Sequence, residues 1–132
     1  MLEGSSSAAA GIDLSQFHQV FFEEAGENLQ TMEDNLEDLA AFVEADAAFH
    51  REIAVSSGNQ VLRELLQSIR SLLRIWVDRA LTDEGHAAAA LKEHREIFTA
   101  LEAHDPAAVT ATMRSHMQTA TRRLLAGFDA AQ

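Results

Sequence analysis

Asp46, His50, His94 and His116 are the residues of this chain best suited to act together. One carboxylate and three imidazoles form a donor set that a divalent cation accepts where thiolates are lacking. Asp46 and His50 are four apart, which places them on one helix face a turn from each other, as a two-donor unit. His94 precedes Asp105 by 11 residues and His116 follows it by 11. With a chain reversal at Asp105, both histidines climb roughly 16 Å from the shared turn, at about 1.5 Å per residue. Reflecting Asp46 and His50 about Gly58 reaches residues 67–70, and reflecting those about Asp83 returns to within a turn of His94. All four donors are expected in one layer, suiting Zn²⁺ first, and Ni²⁺ or Mn²⁺ where waters complete an octahedron.

The elements that must position them follow from the punctuation. Ser56, Ser57, Gly58 and Asn59 break one helix, and Thr82 to Gly85 breaks the next. Asp105 then Pro106 supplies an N-cap with proline at the first helical position. Leu14, His18, Phe21, Ala25, Leu29, Met32, Leu36 and Leu39 recur at helical spacing, predicting a first helix of about seven turns capped by Asp13 or Ser15. Further helices are predicted over 41–56, 59–81, 86–104 and 106–128. The third carries the apolar stripe Leu62, Leu65, Leu66, Ile69, Leu72, Leu73 and Trp76, read as a core face. His94 shares the stripe of Ala87, Ala90, Leu91, Ile97, Phe98 and Leu101. His116 lies on that of Val109, Met113, Ala120 and Leu124, and Asp46 and His50 share a face with Phe42, Phe49 and Ile53. All four donors should point inward, where leaving them uncompensated would cost several kcal/mol. Strand alternation is lacking, so the fold class is all-α: an antiparallel helical bundle of about five helices. Residues 1–11 read as a flexible leader or tag and 12–132 as a single bundle domain.

Composition narrows the function. Residues 1–50 hold eleven Asp and Glu and no Lys or Arg, whereas 51–132 hold ten of each sign, so the net charge of −11 belongs to the first 50 residues. The acidic run reads as a solvated helix face. A basic face is missing, which argues against direct nucleic-acid binding. There is no cysteine, which excludes disulfides and thiolate zinc sites. No apolar run approaches the roughly 20 residues of a membrane helix, and no secretory pattern opens the chain, so a cytoplasmic protein without membrane contact is expected. His18 reads as a boundary histidine. His86 and His104 fall near helix ends and are left out of the shell.

From about Phe42 onward the sequence resembles the C-terminal FCD effector domain of GntR-type transcription regulators. The likeness rests on Asp46, Phe49 and His50, then Ser57, Gly58 and Asn59, then Glu93, His94, Arg95 and Ile97, then Asp105, and finally Met113 and His116, in order over about 90 residues. It implies that the Asp and three His bind a divalent metal and that a small carboxylate effector completes the coordination. Residues 12–39, with Asp13, Phe17, Phe21, Ala25, Met32, Leu36 and Leu39, resemble the opening helix of the histidine phosphotransfer domain of chemotaxis kinases. The phosphorylated motif of that family is missing, so phosphotransfer is not carried over. Two likenesses meeting near Leu39 and Ala40, with the change in charge, suggest an engineered chimera. The regulator's DNA-binding domain is not in this sequence, and neither are the opening helices with the family's effector-contacting arginine. Arg70, Arg74 and Asn59 are the candidates for effector contact.

The leading reading is a divalent-metal-binding helical module derived from a carboxylate sensor, and not an enzyme. The alternatives are a structural or designed bundle without a ligand, and a metal-dependent hydrolase, for which Glu93 is poorly placed as a base because adjacent helix residues point about 100° apart. Monomer and homodimer are both open, a dimer forming through the apolar seam of the first helix.

Overall fold

Glycine, asparagine and aspartate set the helix limits in the computed structural model, which describes residues 19–81 and 85–131, without the side chains of 73–79 and 127–131. The described elements are α1 (residues 19–34), α2 (Leu39–Ser56), α3 (Gln60–Ala80), α4 (His86–Glu102) and α5 (Pro106–Ala131), with no strand among the described residues. The leader 1–11, Asp13, Ser15 and His18 lie outside them, as does the side chain of Arg74.

Gly58, with φ 73°, supplies the left-handed step after α2. Asn59 Oδ1 then accepts the amide of Leu62 at 3.0 Å and caps α3. Gly85, φ 84°, opens α4, and Asp105 Oδ1 accepts the amide of Ala108 at 3.1 Å ahead of Pro106. The punctuation predicts these breaks at Gly58, Gly85 and Asp105, while Thr82, Asp83 and Glu84 lie outside the described residues.

The first helix stops earlier in the chain than its apolar spacing suggests. It ends at residue 34, and α2 begins at Leu39 with Asp38 as its cap, Oδ1 accepting the amide of Ala41 at 3.3 Å. Leu36 and Leu39 continue the three- and four-residue spacing across this break, so periodicity alone reads through it.

Helix α1 buries Phe21, Ala25, Leu29 and Met32 and lies along α4. Phe22 stands edge-on to Phe98 with ring centroids 5.6 Å apart, and Arg95 bonds Glu33 at 3.0 Å. Phe21, Ala25, Leu29 and Met32, four residues of the first helix's apolar seam, are packed into the core of the fold. Phe42 and Phe49 of α2 and Ile97 of α4, all fully buried, join them in one core with Ala87, Ala90 and Leu91.

Helix α3 departs from its predicted role. Leu65 is 55% exposed and Leu72 78%, and Leu62 and Ile69 are exposed too, so these four residues of the stripe read as a core face point outward, while the side chains of Leu73 and Trp76 lie outside the described residues. Leu66 of that stripe is partly covered, together with Arg63 and Arg70. The turn of α3 about its axis brings Arg70 onto Asp46, an ion pair of 2.9 Å.

No described helix is long and apolar enough to cross a membrane.

Candidate metal centre

Helix α2 contributes Asp46 and His50, α4 contributes His94 and α5 contributes His116, and the side chains meet at one height in the bundle. All four are at most 5% exposed. His50 Nε2 lies 3.0 Å from His94 Nε2 and 3.3 Å from His116 Nε2. Asp46 Oδ1 is 2.9 Å from His94 Nε2 and 3.4 Å from His50 Nε2. The imidazoles of His50 and His116 stack with an interplanar angle of 11°, while His94 crosses both. The layer predicted from helix reflection is thus formed. Phe49, edge-on to His50 and His94, closes the site on its core side.

The protonation logic of the cluster is set by its outer contacts. Glu93 Oε1 lies 2.7 Å from His116 Nδ1. A carboxylate there accepts the Nδ1 proton, leaving the Nε2 lone pair of a neutral imidazole free toward the other two rings. Arg123 holds Glu93 from behind with two bonds, Nη1 to Oε2 at 2.8 Å and Nη2 to Oε1 at 2.7 Å. Arg70 Nη1 takes Asp46 Oδ2 at 2.9 Å, so Asp46 turns its other oxygen to the histidines. Each carboxylate at the site is steered by one arginine.

Charge follows from these contacts. Burial favours the neutral form of His50, His94 and His116 and lowers all three below the ordinary 6.5, against the pull of Asp46 on the first two and of Glu93 on the third. Burial by itself would raise the Asp46 carboxyl, but hydrogen bonds from His50 and His94 hold it well below the usual range. Glu93 is likewise pushed up by burial and brought down to about 2 by Arg123 and His116. The centre is thus an ionised carboxylate facing neutral imidazoles, the protonation state a cation needs.

The residues fit a metal ion. One atom from each of the three histidines lies within 4.8 Å of the other two. With metal–donor bonds of roughly 2.0–2.1 Å, neighbouring donors stand roughly 3.0 Å apart at right angles and roughly 3.4 Å apart in a tetrahedron. The observed contacts of 2.9–3.4 Å fall on those edges. A buried three-histidine cluster of this kind could hold a metal.

A cavity of about 210 Å³ opens beside the cluster, lined by Asp46, His94, His116, Arg70 and Arg123 with apolar walls that include Leu81 and Leu124. A groove of about 220 Å³ between α2 and α3 meets Arg70 from the other side but reaches none of the histidines. The first of the two adjoins the chemistry.

The remaining candidates are sorted by position. Arg70, read from the sequence as an effector contact, lines the cavity while paired with Asp46. Asn59 is exposed and occupied as the cap of α3, and it is not brought to the centre. His86 bonds the Ala80 carbonyl at 2.8 Å across the α3–α4 connection. Glu93 and Arg123 were not evident as site residues. In the sequence Glu93 enters only within the family likeness and as a poorly placed base, and the one signal for Arg123 is that it lies about two turns beyond His116 on the same face of α5.

Comparison with known proteins agrees with this architecture. The FCD domain profile matches residues 21–119. The chain is 34% identical over 97 residues to the galactonate operon transcriptional repressor of Escherichia coli (strain K12), which covers 73% of this chain and 42% of the repressor. It is 28% identical over 108 residues to the uncharacterized HTH-type transcriptional regulator YcbG of Bacillus subtilis (strain 168), covering 78% and 46%. The chain therefore spans less than half the length of these relatives, which are named as transcription regulators and not as enzymes. Sequence likeness sets residues 12–39 apart as phosphotransfer-like, yet the FCD match begins inside α1 and runs on through Leu39 and Ala40. With an all-helical fold and a profile covering most of its length, the chain belongs to the FCD domain family of GntR-type transcription regulators.

Proposed function

We propose that this chain is the ligand-sensing domain of a transcription regulator, in which Asp46, His50, His94 and His116 hold one divalent cation, zinc first, and a small carboxylate enters the adjoining cavity. The observation that carries this reading is the orientation of His116. Glu93 takes its Nδ1 proton, so its Nε2 lone pair faces His50 Nε2 at 3.3 Å, an arrangement suited to a shared cation. When bound, the ion would supply a positive centre with positions free for water or a carboxylate. The chain's own part is to keep the imidazoles neutral, to hold Asp46 through Arg70, and to exclude bulk water.

The cavity supports an anionic ligand because two arginines line it, and a small one because of its volume. A ligand bridging groups on α3, α4 and α5 favours one relative placement of those helices, which is the form a signal from such a domain would take. Helix α1 is read as part of the FCD bundle rather than a grafted phosphotransfer helix, since its apolar face completes the core and the FCD match passes through it.

Titration of the metal-stripped protein with Zn²⁺, followed by thermal unfolding, tests the reading. A midpoint that climbs with Zn²⁺ and returns on chelation supports it. A midpoint indifferent to Zn²⁺, Ni²⁺ and Mn²⁺ leaves a bundle without a ligand.

A further inference from the structure

We propose that Arg123 and Glu93 form a latch that sets the tautomer and aim of His116, and that an anion in the cavity acts on the metal site by drawing on the Arg123 guanidinium. The second half rests on the functional reading above; the first stands on geometry alone.

Glu93 Oε1 is shared, standing 2.7 Å from His116 Nδ1 and 2.7 Å from Arg123 Nη2, while Oε2 takes Nη1 at 2.8 Å. The carboxylate is therefore fixed in plane by the guanidinium fork, and the imidazole is fixed by the carboxylate. A lysine or a solvated glutamate would not impose that plane. Arg123 is 12% exposed and Glu93 19%, so water is a poor substitute for either partner. Arg123 also lines the cavity, as His116 does, and its guanidinium has N–H groups to spare beyond a bidentate pair. An anion there shares Arg123 with Glu93, and Glu93 in turn shares His116. Arg123 is thus a positioning residue, acting on the cation site through Glu93 and not by touching the ion. Arg70 does the same for Asp46, so both arginines of the cavity are tied to the donor set.

The test uses the whole chain labelled with ¹⁵N in its imidazoles. In the metal-free wild type, His116 should show the neutral tautomer protonated at Nδ1, and acetate should move its resonances. In Arg123→Met the Nδ1 preference should be lost and the acetate response abolished, with the rest of the spectrum retaining native dispersion. Arg123→Lys, which keeps the charge and folds with least disturbance, should restore part of both. Zn²⁺ affinity, measured against a chromophoric chelator, should fall roughly 10- to 100-fold in Arg123→Met, as loss of an outer-shell partner does. An unchanged His116 tautomer in the Met variant, or no acetate response in the wild type, overturns the proposal. If the wild type takes up no Zn²⁺ but the tautomer shifts as stated, the latch stands and the metal reading fails. If Zn²⁺ binds equally to wild type and Arg123→Met, the metal reading stands and the latch fails.

Discussion

His50 and His94 bring their Nε2 atoms to 3.0 Å of one another, although 44 residues and two chain reversals separate them. Neither ring is more than 5% exposed. Two facing imidazole nitrogens at that distance hold one proton or one cation between them, and a third, on His116, aims at the same place. Such a cluster costs stability without its ligand and returns it when the ligand binds.

His94 Nδ1 is buried without a hydrogen-bond partner among the described residues. Replacing His94 by leucine removes that orphan, while Asp46 keeps Arg70. The metal-free His94→Leu protein should therefore be no less stable than metal-free wild type in urea, but should show no Zn²⁺-induced rise in thermal midpoint. A large loss of stability without metal would mean that His94 serves the fold instead.

Asp46→Asn should behave in the opposite way. The amide leaves the partly buried Arg70 guanidinium without its counter-charge, and the metal-free protein should lose about 1–3 kcal/mol. Chemical denaturation measures this. Equal stability would show that the Asp46–Arg70 contact of 2.9 Å contributes nothing to the fold.

The pH dependence has a defined sign. His50, His94 and His116 have folded values lowered by burial below 6.5, so between the two values the unfolded chain binds more protons. Their contribution is complete above pH 6.5 and is lost as pH falls through it. Glu93, held down at about 2 against 4.5, contributes above pH 4.5 and loses that contribution as pH falls toward 2. Urea midpoints of the metal-free protein should therefore fall on acidification from about pH 7.5 to 5.5, and less steeply in His94→Leu. A flat profile would contradict neutral buried imidazoles.

Gly26 sits inside α1, where a Cβ would meet only Phe98 Cζ, at an ordinary 3.9 Å. Gly26→Ala should stabilise the protein by about 0.5–1 kcal/mol through helix propensity. Destabilisation would mean that α1 lies closer to α4 than this separation.

Much of this architecture was legible in the sequence, for physical reasons that differ between elements. Gly58, Gly85 and the pair Asp105 and Pro106 mark reversals because few other residues suit those backbone positions. Once the reversals are known, helix rise alone brings Asp46, His50, His94 and His116 to one layer. The break at residues 35–38 was not legible, since Leu36 and Leu39 keep the apolar spacing running through it. The outward turn of α3 was hidden because an apolar stripe looks the same whether it faces a core or solvent. Glu93 was dismissed on helical angle, yet a glutamate side chain is long enough to span from α4 to His116 on α5. Backbone periodicity carries no information on that reach.

Crystals grown from metal-free protein with added Zn²⁺, measured on both sides of the zinc absorption edge, decide whether these four residues share one cation. The expected anomalous map has a single strong peak in each protomer within roughly 2.0–2.2 Å of the Nε2 atoms of His50, His94 and His116 and of a carboxylate oxygen of Asp46. Zinc bound only at surface carboxylates, or no peak between the three rings, would contradict the metal centre described above.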